Sequence, residues 1–442
     1  MTVQMLAAPV APPVVVSRLS NGLRTVVVPD PTVHVACVAV VYDVGMRAEA
    51  PGQAGLAHLV EHLMFEGSDH VPPGGHGRLV QGVGGSFNGL TGADRTCFHQ
   101  LVPPAVVDRV LALEADRLAT LDVTTDGIAK QRAVVHQEVR GRLDHRPYGG
   151  FPRVPLSALL FDEHAYAHDG YGDVAALRAV LPEHVADFRR RHYRPDRAVV
   201  AVVGDVDPDE VLRSVERWFG ALPGPAEPPP ERPVPAPLRA DRTSRAVDGA
   251  APLPAVAWGW RVPDPADLAA YLPYVVLADV LGDVGQRLSV HTRQTGRPLA
   301  ASVGAGVDLA GEPFDVRDPN GFVVTAMLLP GVDEAELLAR FDTALEEVAA
   351  HGVTEAELER LHASALERTW SRVACPTQRA LAVATALQHR GTPELPWLLP
   401  GLLQAVGSSQ VSDAAATLLP SPRALHVVSP GVPAGPATGT RA

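Results

Sequence analysis

The apolar positions of this chain keep two rhythms. Leu23–Val28 and Val33–Val41 are β-branched runs divided by the turn-like Pro29–Thr32, which predicts neighbouring strands. Ser86–Thr91 and Arg95–Val102 predict a further strand pair around the turn Gly92–Ala93–Asp94. Between and after them apolar residues recur at three- and four-residue spacing, predicting helices over Gln53–Phe65, Pro104–Ala119 and Asp126–Leu143. Helix Pro182–His192, strand Ala198–Val203 and helix Pro208–Phe219 complete this half.

Ala221–Arg239 interrupts the pattern with a proline-dense stretch that forbids helix interiors and central strands and favours an extended connector. Beyond it the element order recurs. Pro254–Val262 reads as a strand, Leu268–Leu281 and Val284–Thr292 as two helices, and Ala300–Val307 with Gly321–Leu329 as a strand pair. Helices are predicted over Asp333–Ala350 and Thr354–Arg372, the latter opened by a Thr354/Glu357 capping box, with a last strand at Ala424–Val428. The expected fold is therefore α+β: two similar α+β domains, each a mostly antiparallel sheet with helices packed on it. Their expected bounds are 1–220 and 241–430, with a linker over 221–240 and a loose tail over 431–442.

Composition narrows the partners. A chain of 442 residues with 46% apolar content can bury two or three cores. Its 38 basic against 50 acidic residues, a net charge of -12, argue against nucleic acid and against an anionic membrane surface. Lys130 is the single lysine, and the abundance of arginine, alanine and proline reads as codon usage. Cys37, Cys97 and Cys375 show no CxxC or Cys/His clustering and are expected to be buried free thiols. The N-terminus lacks a basic leader and no uninterrupted apolar run reaches bilayer length, so a cytoplasmic location is expected.

Candidate chemistry sits at His58-Leu59-Val60-Glu61-His62. Residues four apart on a helix lie one turn above each other, so both imidazoles can reach one ion, and Glu61 shares their face. Zinc suits imidazole and carboxylate donors in tetrahedral geometry with a position open to water. A carboxylate beside metal-bound water can take its proton and later deliver one to a leaving amine, which gives Glu61 the general acid-base role. The pentad supplies two ligands, and the third must come from elsewhere. No GxGxxG after a strand, GxxxxGK[ST] or GxSxG is present, so a carbohydrate, nucleotide or redox role has little support.

The segment GQAGLAHLVEHLMFEGS, with LSNGLRTVVVPDP and VYDVGMRAEAPG before it and GGSFNGLTGADRTCFHQLVPP after it, resembles the pitrilysin/insulinase family of zinc metallopeptidases, which includes mitochondrial processing peptidase. The resemblance continues through ADRL at Ala115–Leu118, RRRHYRPDRAVVAVVGDVDPDEV from Arg189 and VTEAELERLHASAL from Val353, nearly the whole chain. It implies a half-clamshell of two such domains, one zinc ion per chain, and a third ligand on a later helix, where Glu138 stands 76 residues beyond His62 (138 − 62). Val134, Val135 and Val139 are expected to dock that helix on the core. The resemblance also assigns substrate-backbone contacts to Asn88 and Gly89, with the peptide added to an exposed strand.

Two positions depart from the family pattern. A glutamate common in active members, two helical turns before the ligand, is here Gln131, a neutral neighbour of the metal site. The family's C-terminal arginine and tyrosine, which grip substrate and stabilise the oxyanion, match HTRQTGRPLAASV, where Arg293 or Arg297 stands for the arginine and Ala300 or Ala301 falls at the tyrosine. Loss of such a donor typically costs about 2.7–4 kcal/mol. The resemblance thus implies the zinc-bearing subunit of a heterodimeric endopeptidase for unfolded peptides. A similar subunit would supply the Arg/Tyr pair, and a homodimer fits less well. The competing reading is a catalytically silent metal-binding scaffold or peptide-binding subunit.

Overall fold

A computed structural model describes residues 12–431 apart from 122, 169, 171, 173, 225–233 and 289–296. Eleven strands among them form two sheets. The first comprises β1 (Val15–Arg18), β2 (Arg24–Pro29), β3 (Ala36–Tyr42), β4 (Ser86–Thr91), β5 (Thr96–Val102) and β6 (Ala198–Gly204), in the spatial order β1-β2-β6-β3-β5-β4. The second comprises β7 (Arg242–Asp248), β8 (Ala255–Arg261), β9 (Ala300–Gly306), β10 (Gly321–Leu328) and β11 (Ala424–Pro430), in the order β7-β11-β8-β10-β9.

The orders are equivalent once β1 is set aside. In each sheet a strand from the start of the half pairs parallel with the last strand, and all other pairings are antiparallel. The recurring element order of the sequence is therefore a recurring topology. The central strands β3 and β6 are buried at every residue because both sheet faces are covered, which is why they read as continuous apolar runs.

One face of the first sheet carries helices Leu56–Leu63, Val107–Thr120, Pro182–His192 and Pro208–Phe219, whose apolar stripes meet Val38, Val40, Val200 and Val202. Its other face is covered from the far half: Ala380, Leu381, Val383, Ala384 and Leu387 of helix Pro376–Arg390 pack on Val26, Cys37, Ala39 and Ala201. The exchange is mutual. Helix Arg153–Leu160 of the first half lays Leu156 and Leu160 against Ala257, Val323 and Ala424 of the second sheet.

Ion pairs follow the same seam. Asp94, fully buried, accepts from Arg47 Nη1 at 2.9 Å and from the Arg317 backbone N–H at 2.9 Å. Arg95 donates to Thr385 and, at 2.7 Å, to Asp315, which also accepts from Arg372 at 2.7 Å.

Several expectations change. Leu268–Leu288 is one helix; the two segments expected there join, and the remainder of the second falls on residues outside the description. This helix is long and apolar enough by composition to cross a membrane, though Asp279 and Asp283 interrupt its apolar run, and Tyr271, Leu277 and Leu281 are in the second core and account for its apolarity. Cys375 is exposed, whereas Cys37 and Cys97 are buried. Val134 is exposed, because it lies on the outward side of the helix that Val135 and Val139 bury.

Candidate metal centre

The pentad helix, Leu56–Leu63, buries Leu56, Leu59, Val60 and Leu63 and leaves His58 and His62 on the opposite side, largely but not fully buried. Its start is built for close packing. Gly55 takes φ +93°, a backbone that favours glycine, and a Cβ there would meet Gly172 Cα at 2.8 Å. No residue at the cap supplies a side-chain acceptor. The buried carboxylate of Glu49 does so from a distance, accepting from Gly55 N at 2.9 Å and Ala57 N at 2.8 Å, with His168 Nε2 at 3.0 Å from its Oε2. A carboxylate on the helix's orphan N–H groups satisfies them and complements the helix dipole. Sequence reasoning missed Glu49, since nothing local marks it as a cap.

Glu138 stands on helix Thr125–Leu143, opened by Thr124, whose side chain accepts from Gly127 N. Buried Ile128, Val135 and Val139 seat this helix and turn Glu138 toward the histidines. His58 Nε2 and His62 Nε2 are 3.2 Å apart, and the Glu138 carboxylate oxygens stand 3.6 Å from the first and 3.7 Å from the second. Tetrahedral zinc with bonds of 2.0–2.1 Å needs ligand atoms roughly 3.3 Å apart, so the triangle fits. Among the described residues, this is the His/Cys/Asp/Glu group placed to hold a metal ion. Burial, then the neighbouring His62, pushes His58 down to about 4, so its ring is neutral at pH 7 and free to ligate.

Glu61 points into the same cavity, of about 530 Å³, that His58, His62 and Glu138 line. Its carboxylate is buried and accepts from Thr91 Oγ1 at 2.6 Å. Burial raises its pKa, opposed by the Thr91 hydrogen bond. Strand β4 closes the cavity's other wall, with Asn88 exposed and Gly89 against the pentad helix so closely that a Cβ would lie 2.7 Å from Glu61 Oε1. As the terminal strand of its sheet, β4 has an unpaired edge.

Gln131 accepts from His62 Nδ1 at 3.1 Å. Arg297 is not brought to the site: it is exposed and pairs with Glu336 at 2.9 Å. Arg293 lies outside the described residues. Ala300 is buried in the second core at the start of β9, and Ala301 follows it in that strand. The cationic side chains lining the cavity are Arg142 and Arg153, neither anticipated from the sequence.

A two-layered α+β frame holding an inverted pentad, a distant glutamate and a buried carboxylate defines a metallopeptidase class. The model of insulinase (peptidase family M16) matches residues 24–145, and that of the peptidase M16 inactive domain matches 180–364. An uncharacterized zinc protease of Mycobacterium tuberculosis is 30% identical over 342 residues, 77% of this chain and 76% of the relative. The zinc protease PqqE of Helicobacter pylori is 28% identical over 356 residues, 78% of this chain and 76% of that one. A solved protease from Helicobacter pylori superposes with a TM-score of 0.84 at 23% identity, over 95% of this chain and 100% of that chain. Pitrilysin does so at 0.76 and 18%, over 95% of this chain and 45% of its own. The chain belongs to peptidase family M16.

Proposed function

We propose that this chain is the zinc-bearing subunit of an endopeptidase that cleaves extended, unfolded peptides. The observation that carries the reading is the ligand triangle of His58, His62 and Glu138 with the buried Glu61 carboxylate lining the same cavity. A zinc ion held by His58, His62 and Glu138 would supply Lewis acidity to a water and to the scissile carbonyl. Glu61, held by Thr91, takes the proton of the attacking water and passes one to the leaving amine. Its raised pKa suits both halves of that transfer, because the conjugate acid is not too strong to hold the proton between steps.

The open edge of β4 supports binding of the substrate as an added strand, read through its backbone, with Asn88 and Gly89 beside the cleaved bond. No tyrosine lines the cavity among the described residues, and Arg297 faces Glu336, which supports a second, similar subunit as the source of an oxyanion donor. The test is a comparison of wild type with Glu61→Gln, each assayed alone and with a co-encoded relative lacking the pentad. The expected result is one zinc per chain in both proteins, peptide cleavage by the paired wild type only, and little from the chain alone. Zinc bound with equal cleavage by both would remove Glu61 from the mechanism and favour the silent-scaffold reading.

A further inference from the structure

We propose that Glu66 is a positioning residue for the metal ligand His62, acting through the side-chain amide of Gln131. The proposal rests on the zinc reading above. His62 Nδ1 lies 3.1 Å from Gln131 Oε1, on the side of the ring away from the triangle that Nε2 helps to form. The same amide donates from Nε2 to Glu66 Oε1. Glu66 is in turn held by Lys130 Nζ, at 2.8 Å from one oxygen and 3.0 Å from the other. Glu66 follows the pentad helix and Gln131 lies on the Glu138 helix, so the contact also ties the two ligand-bearing elements together.

The chain of partners has a direction. An ionised carboxylate only accepts, so Glu66 draws the amide's NH2 toward itself and turns its oxygen toward the imidazole. That oxygen can only accept, so His62 must carry its proton on Nδ1. The lone pair is then on Nε2, facing the metal. An amide released from Glu66 can rotate and offer its NH2 to Nδ1, which places the ring proton on Nε2 and blocks ligation. A glutamine beside His62 is therefore a sound partner only when something fixes its orientation. Glu66 does so, and it places within two hydrogen bonds of the ring the negative charge that Gln131 itself does not carry.

The test reads zinc affinity of the full chain by competition with a chromogenic chelator. Glu66→Met is expected to weaken zinc binding about 10-fold, the lower range for loss of an outer-shell partner. Glu66→Gln keeps an acceptor oxygen and is expected to retain most of the affinity. In a Gln131→Glu background, where the group facing Nδ1 accepts in either orientation, Glu66→Met is expected to cost nothing. Unchanged affinity in Glu66→Met, or the same loss in both backgrounds, would overturn the proposal while leaving a zinc-binding wild type intact. A wild type that binds no zinc would instead overturn the metal reading on which it stands.

Discussion

A methyl group at Gly89 would stand 2.7 Å from Glu61 Oε1, 3.1 Å from Glu61 Cγ and 3.1 Å from Phe65 Cε2. The first of these distances cannot persist. Either β4 moves off the pentad helix, which it can do as an edge strand, or the Glu61 side chain rotates and gives up its 2.6 Å bond from Thr91. Overpacking of this kind costs about 1–3 kcal/mol, offset in part by the roughly 0.5–1 kcal/mol that alanine gains over glycine inside a strand. The fold should survive Gly89→Ala. Proton transfer should not, since a displacement near 1 Å at a reacting group costs about 100-fold, equivalent to about 2.7 kcal/mol of barrier. The three atoms nearest Gly89's added carbon belong to Glu61 and Phe65 and not to His58, His62 or Glu138, so zinc affinity should be unchanged. The assay is kcat/KM on an unstructured fluorogenic peptide, with the partner subunit present, beside a chelator titration of zinc. Full activity would refute the placement of Glu61 as the base. Loss of zinc in parallel with activity would show that the strand supports the ligands and not the carboxylate.

Two further outcomes follow from buried charge. Asp94→Ala strands Arg47 at the seam between the halves, and removal of one partner of a buried pair costs about 3–5 kcal/mol, to be read from the urea midpoint at pH 7; a change under about 1 kcal/mol would show the seam to be wet. His76 and His389 are both pushed down to about 3, chiefly by burial, from an ordinary 6.5. Below pH 6.5 the unfolded chain takes up protons that the folded chain refuses, so stability is complete above 6.5 and falls with pH toward about 3. At pH 5 each group should have removed about 2 kcal/mol. In metal-free protein, His389→Leu should flatten this acid slope, and an unaltered slope would place the titration elsewhere.

The hairpin β4–β5 was legible because two short runs flank the turn signal Gly92–Ala93–Asp94, and the helix opened by Thr354 because its capping box is local; both boxed bonds form. Strand β7 was not, since its exposed, arginine-rich sequence has no apolar face to announce it. Helix Pro376–Arg390 escaped for the opposite reason: its alanine-rich surface fits a sheet folded from residues far earlier in the chain, and periodicity carries no record of a partner. At the site, spacing alone pointed to His58, Glu61 and His62. Glu138 came from family resemblance, because one acid on a helix looks like any other. Glu49 and Glu66 act through contacts at other separations, the first on backbone N–H groups and the second on an amide 65 residues away (131 − 66). Neither leaves a pattern in the chain.

The repeated topology shows what stands in the second half where the first has its candidate ligand triangle. Thr124 and Thr354 cap equivalent helices through the same bond, so Glu138, fourteen residues past the first cap (138 − 124), corresponds to Arg368, fourteen past the second (368 − 354). Val135 and Ala365 are both buried in this register, as equivalent positions should be. Arg368 pairs with Asp279, on the helix that follows β8 as the pentad helix follows β3, at 2.5 Å. Both residues line a cavity of about 390 Å³ whose wall includes Ala305 and Gly306 of the edge strand β9, the counterpart of β4. The second half thus keeps the enclosure of helix, helix and edge strand but sets an arginine, paired with Asp279, at the position of Glu138. A guanidinium facing the helix from Glu138's position repels a divalent ion and consumes the acid opposite it. Helix Leu268–Leu288 also carries no histidine, so among the described residues the counterpart of the ligand triangle is missing on both helices, while both halves retain a strand edge beside the enclosure.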